Sequence, residues 1–139
     1  MKKYITLILA LVVCACQQSN KVVLENGKMR LEFDKENATL LSMVDLETGY
    51  EYLDTEAEPQ RLWNIIPLNE GDEIIEPTNV KVEKLSAHEA KIVWSGEGTF
   101  TLEARVRLDK EKPLSYWSVE MRGYDGAKVK ELIFPYLTN

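Results

Sequence analysis

From Thr99 to Leu108 apolar and polar side chains alternate without a break. Phe100, Leu102, Ala104, Val106 and Leu108 are interleaved with Thr99, Thr101, Glu103, Arg105 and Arg107. Successive side chains of a strand point to opposite faces, so this spacing puts five apolar groups on one side of a sheet and five polar groups on the other. At 3.6 residues per turn the same apolar groups would be scattered around a helix and could not form one stripe. The constraint recurs along the chain. Lys28 to Phe33 (KMRLEF) points Met29, Leu31 and Phe33 one way and Lys28, Arg30 and Glu32 the other. Tyr116 to Arg122 aligns Trp117, Val119 and Met121.

Turn residues punctuate these segments. Asp34-Lys35-Glu36-Asn37 separates Lys28–Phe33 from a second strand over Ala38 to Val44. Glu47-Thr48-Gly49 turns again before Tyr50 to Leu53. Gly96-Glu97-Gly98 suits a hairpin between Ala90–Ser95 and Thr99–Leu108. Further strands are expected over Thr78–Leu85 and within Ala127–Leu137, where VKELIF is strand-like, while Arg61–Leu68 is apolar but interrupted by Pro67. No segment beyond the first sixteen residues sustains a helical period over three turns, and turn signals recur about every 8–12 residues. The expected fold is all-β, an antiparallel β-sandwich.

The amino terminus follows another logic. Lys2 and Lys3 precede the apolar run Ile5–Val13, which ends in Cys14-Ala15-Cys16. A charged start, a short apolar stretch and a small residue before a cut are the order of a secretory signal, expected to be helical. The run falls short of the roughly 20 apolar residues that cross a bilayer. Its close resembles the lipobox of bacterial lipoproteins, with Ala15 as the small residue before the cut and Cys16 as the lipidated amino terminus. The expected organisation is a signal peptide over 1–15, a polar tether over 16–21 and a β-sandwich over 22–139. One acyl chain contributes about 0.8 kcal/mol per buried CH₂ and holds only marginally, and the resemblance implies several chains on Cys16. In the lipoprotein family an aspartate at this position signals retention, so with Gln17 there the resemblance implies the outer membrane. The expected location is therefore exported and lipid-anchored to the cell envelope.

Composition narrows the function. Cutting the first fifteen of 139 residues removes two lysines and no acid, moving the net charge from −6 to −8. That balance and the lack of a polybasic tract argue against nucleic acid. Both cysteines lie in the signal region, so the body has no thiol for a disulfide or a thiolate metal site. His88 is the single histidine, in a polar connection, and reads as a solvated loop residue. Neither a metal spacing nor a phosphate loop is present, and no cofactor is expected. Paired carboxylates are the one catalytic option, as in glycoside hydrolysis. The densest acidic cluster, Glu70, Asp72, Glu73 and Glu76, reads as a solvated loop. Aromatic rings suit sugars, whose C–H faces stack on them. Trp94 and Trp117 are in phase with core positions. Tyr50, Tyr52 and Tyr124 flank turns and are the candidate carbohydrate-binding residues.

The string Lys28–Leu53 has further character: Phe33-Asp34, Leu40 to Asp45 with Ser42 inside, Thr48-Gly49, then Glu51-Tyr52-Leu53. It resembles the start of the amino-terminal galactose-mutarotase-like β-sandwich of bacterial glycoside hydrolases, and Leu132–Leu137 (LIFPYL) looks like a later strand of that domain. The resemblance implies a partial supersandwich, non-catalytic itself, that packs against a following or separate (β/α)₈ barrel holding the catalytic acids. It carries no catalytic residue onto this chain, and implies that the chain is the front part of something longer. The leading expectation is a lipoprotein bearing the accessory sandwich of a carbohydrate-active enzyme. The alternative is a stand-alone surface lipoprotein that binds a glycan or a protein.

Overall fold

The computed structural model describes residues 20–54, 56, 61–126 and 128–137. The signal segment, Cys16 and most of the tether lie outside the described residues. Nine strands follow in order: β1 (Lys21–Glu25), β2 (Met29–Asp34), β3 (Leu40–Asp45), β4 (Asn64–Pro67), β5 (Asn79–Lys84), β6 (Glu89–Ser95), β7 (Thr101–Leu108), β8 (Ser115–Arg122) and β9 (Val129–Ile133). Among the described residues there is no helix. β1 opens at Lys21, the last residue of the expected tether, paired with Asp34.

Every pairing is antiparallel. One sheet runs β1-β2-β3, a second β5-β6-β7-β8, and β4 pairs with β9 in a third. Period-two patterning decides which face is dry. Met29, Leu31 and Phe33 of β2 are buried, as are Ala90, Ile92 and Trp94 of β6 and Leu102, Ala104, Val106 and Leu108 of β7. Register lines these residues into rows. Ala90 faces Val106, which faces Trp117; Ile92 faces Ala104, which faces Val119; Trp94 faces Leu102, which faces Met121. Fully burying a Leu, Ile, Val or Phe contributes roughly 1.5–3 kcal/mol, so Ile92, Leu102 and Val106 make these rows strongly stabilising.

Aromatic contacts tie the sheets together. Phe33 meets Trp117 at 5.9 Å between ring centres, and Trp117 meets Phe134 beyond β9 at 6.0 Å. Trp63, just before β4, stands edge-on to Trp94 at 6.4 Å and to Phe100 at 5.6 Å. The Arg61 guanidinium lies 4.3 Å from the Trp63 ring centre. Tyr136 donates its backbone N–H to Leu62 across 2.7 Å, so the chain past β9 stays beside β4. The inward row of β8 differs from that of β7: Trp117, Val119 and Met121 are only partly buried. β8 is the edge of its sheet, and its inner face is incompletely covered.

Three strands stop by one device. Asp34, Asp45 and Asp109, at the ends of β2 and β3 and just past β7, each accept the N–H groups two and three residues on through one carboxylate oxygen, at 2.7–3.1 Å. Such a bond replaces the next rung of the ladder and turns the chain. For Asp109 the bond from Glu111 is the strongest influence on its carboxyl. Desolvation opposes it, but Tyr116, Lys112 and that bond together hold the carboxyl below its ordinary range.

One end of the sandwich is clamped through polar atoms. Asn26 accepts the Lys28 and Met29 N–H groups at 2.8 and 2.7 Å and donates through its amide nitrogen to the carbonyls of Asp109 (2.6 Å) and Lys112 (2.9 Å). Glu25 donates its N–H to Ala87 at 3.0 Å, and His88 Nδ1–H reaches the Glu25 carbonyl at 2.9 Å. His88 is thus half-buried and joins the two sheets, unlike the solvated residue its sequence context suggests. Its value lies in a contact 63 positions away, which no local pattern announces. Tyr50–Leu53 likewise forms no strand, only a bridge between Val44 and Glu51.

Asn26→Ala should lower unfolding free energy by about 1–3 kcal/mol, because it strips four bonds and leaves the Lys112 carbonyl with the Leu114 N–H alone. Urea unfolding followed by tryptophan fluorescence reads this. A loss under about 0.5 kcal/mol would show that the clamp is dispensable.

Candidate functional site

A cleft of about 260 Å³ opens at the end of the sandwich opposite the Asn26 clamp. Antiparallel pairing puts three connections there. The β6–β7 hairpin turn contributes Gly98, Thr99 and Phe100, the β8–β9 connection contributes Gly123, Tyr124, Asp125 and Lys128, and the segment before β5 contributes Glu73, Ile74 and Ile75. The turns are sharp because Gly98 and Gly123 take left-handed φ values of 69° and 68°, which a side chain would strain. Thr99 Oγ1 lies 3.1 Å from the Gly96 carbonyl and 2.9 Å from the Phe100 carbonyl, which fixes the first turn. Lys128 and Val129 donate their N–H groups to the Asp125 carbonyl at 3.0 and 3.3 Å, which fixes the second.

The floor is apolar. Phe100 is buried against Trp63, and Ile74 and Val129 lie beside it. The Tyr124 ring stands at the rim, 50% exposed. Glu73, Asp125 and Lys128 bring two carboxylates and one ammonium. A dry floor, a flat ring and a few charged groups can hold an amphipathic ligand and fix its orientation. They do not assemble a nucleophile and base.

The other sequence candidates lie elsewhere. Tyr50 and Tyr52 are 62% and 43% exposed, with rings edge-on at 5.1 Å, on the stretch that folds back along β3. They come together with each other and border no part of the Tyr124 cleft. Between them Glu51 points inward. It accepts the Ser42 hydroxyl at 2.6 Å and the N–H groups of Met43 and Leu53 at 2.8 and 3.1 Å. Burial alone would push its carboxyl up. The Ser42 hydroxyl and the backbone N–H groups of Met43, Leu53 and Tyr52 outweigh that, and hold it below its ordinary value. Glu51 is therefore a structural carboxylate that pins the turn carrying both tyrosines.

The acidic run separates on folding. Glu76 pairs with Arg61, Asp72 accepts two bonds from Asn69 at 3.0 Å, and Glu73 alone of these borders the cleft. Among the described residues no group of three or more His, Cys, Asp or Glu is placed to hold a metal ion. Glu73 and Lys128 carry no individual signal in the sequence. They become site residues only because β8 ends where β7 begins. Cys16 lies outside the described residues.

Comparison of the chain with family models, with curated proteins and with solved structures finds no match. The architecture alone therefore defines the class: an all-β protein of antiparallel sheets with an aromatic-rimmed cleft at one end.

Glu51 also sets a pH dependence. Its folded carboxyl is more acidic than the ordinary 4.5, so its ionised form favours the folded state. That stability is complete above the unfolded value and is lost as pH falls through the folded one. The stability gap between the parent and Glu51→Gln should therefore stay constant near neutrality and shrink below pH 4.5. Urea titrations at several pH values test this, and a gap that widens on acidification would contradict it.

Proposed function

We propose that this chain is an exported lipoprotein, held to the outer membrane by acylated Cys16, whose sandwich is the accessory domain of a carbohydrate-active enzyme and performs no catalysis itself. The observation that carries the reading is the half-covered inward row of β8. Trp117, Val119 and Met121 continue the dry rows of β6 and β7 yet stay partly open, on an edge strand whose outer rim pairs with no other strand among the described residues. A partly open apolar row beside a free strand edge is what a domain presents where further chain or a neighbouring domain packs. The resemblance of Lys28–Leu53 to galactose-mutarotase-like sandwiches supports the same reading, and the lipobox supplies the anchor.

A second reading is a stand-alone glycan-binding surface lipoprotein. The Tyr124 cleft favours it, since that site needs no other domain to be complete.

Two observations test the proposal. Metabolic labelling with a palmitate analogue should mark the parent and Cys14→Ser but not Cys16→Ser, and Cys16→Ser should leave the membrane fraction. DNA following the last codon should encode a (β/α)₈ barrel in some frame. An unlabelled parent removes the anchor, and a barrel found neither downstream nor as a separate chain bound to this one removes the accessory-domain reading in favour of the second.

A further inference from the structure

We infer that the Tyr124 cleft is a subsite for one neutral pyranose ring of a glycan, and that the Tyr50–Tyr52 pair is not part of it. The inference deepens the carbohydrate reading above and rests on it.

Size comes first. About 260 Å³ falls below the roughly 300–1,000 Å³ of pockets that enclose drug-sized ligands, so the cleft suits a single ring rather than a buried oligosaccharide. It is open at the rim, where Tyr124 and Ile75 are exposed, so the rest of a chain could continue into solvent.

Chemistry comes second. A pyranose has an apolar face of axial C–H bonds and an equatorial belt of hydroxyls. The Tyr124 ring, with Ile74, Phe100 and Val129, offers the apolar half of a complementary surface. Glu73 can accept hydroxyl protons and Lys128 can donate to a hydroxyl oxygen, while Asp125 adds negative charge to the wall. The Thr99 hydroxyl is engaged with backbone carbonyls and shapes the wall.

Charge comes third. Two carboxylates against one ammonium, on a chain of net charge −6, disfavour uronates and sulfated sugars. Neutral rings escape that repulsion.

Tyr50 and Tyr52 lack these features. Their rings meet edge to face, and the one carboxylate between them is committed to Ser42, Met43 and Leu53.

The test uses the full chain with ¹³C-labelled isoleucine and valine methyls, titrated with cellotetraose, maltotetraose, mannotetraose and tetragalacturonate. At least one neutral tetrasaccharide should shift the Ile74, Ile75 and Val129 methyls at millimolar concentration or below, and tetragalacturonate should not. Tyr124→Ala should weaken binding tenfold or more, Tyr124→Phe should retain it within about threefold, and Tyr50→Ala should leave it unchanged. Unmoved methyls with all three neutral sugars, tighter binding of tetragalacturonate, or full affinity in Tyr124→Ala would each overturn the subsite. A lipid-labelled chain followed by barrel-coding DNA, but with silent methyls, would sink the subsite and leave the accessory-domain reading standing.

Discussion

The structure depends on one contact layer, the meeting of the inward rows of β2 with those of β6, β7 and β8. Each row exists because polar and apolar residues alternate, and each is useless until a second sheet covers it. Phe33 reaches across to Trp117 at the point where the layer passes from the buried strands to the open edge. With no cysteine among the described residues, no disulfide can substitute for this layer there. Polar contacts add precision at one end, where Asn26 and His88 join turns from both sheets.

That arrangement makes the two ends of the molecule unlike. At the clamped end the turns bond to one another across the sheets. At the opposite end the glycine turns at Gly98 and Gly123 leave a gap, and the gap is the cleft. Along the side, β8 leaves Trp117, Val119 and Met121 half-covered. The molecule thus offers a small ligand site and a separate packing edge. An accessory domain needs the edge, and a glycan binder needs the cleft.

Much of the fold was legible because period two is a strong local signal. The alternation of Thr99–Leu108 places Phe100, Leu102, Ala104, Val106 and Leu108 in the core, and all five are buried. Trp94 is likewise in the core, as its phase with Ile92 indicates. Trp117 has the same phase but stays partly exposed, because phase reports the face of a strand and not whether that strand is central or at an edge. The pairing of β4 with β9 joins distant segments and has no local signature. His88 shows the same limit, since its partner is the Glu25 carbonyl. Of the three candidate tyrosines, turn position identified exposure correctly in each. It could not separate Tyr124, which borders the cleft with Phe100, Glu73 and Lys128, from Tyr50 and Tyr52, which lie outside it on either side of the committed Glu51 carboxylate. That distinction depends on which turns share an end of the sandwich.

The face-to-face layer can be tested through its aromatic bridge. A double-mutant cycle on Phe33→Leu and Trp117→Leu, read by urea unfolding, isolates the ring–ring term from the burial each residue loses alone. Face-to-face packing predicts a coupling of about 0.5–1.5 kcal/mol, the range for aromatic pairs at such separations. Additive effects within about 0.3 kcal/mol would mean that the two rings do not meet, and that the sheets are not packed face to face as described.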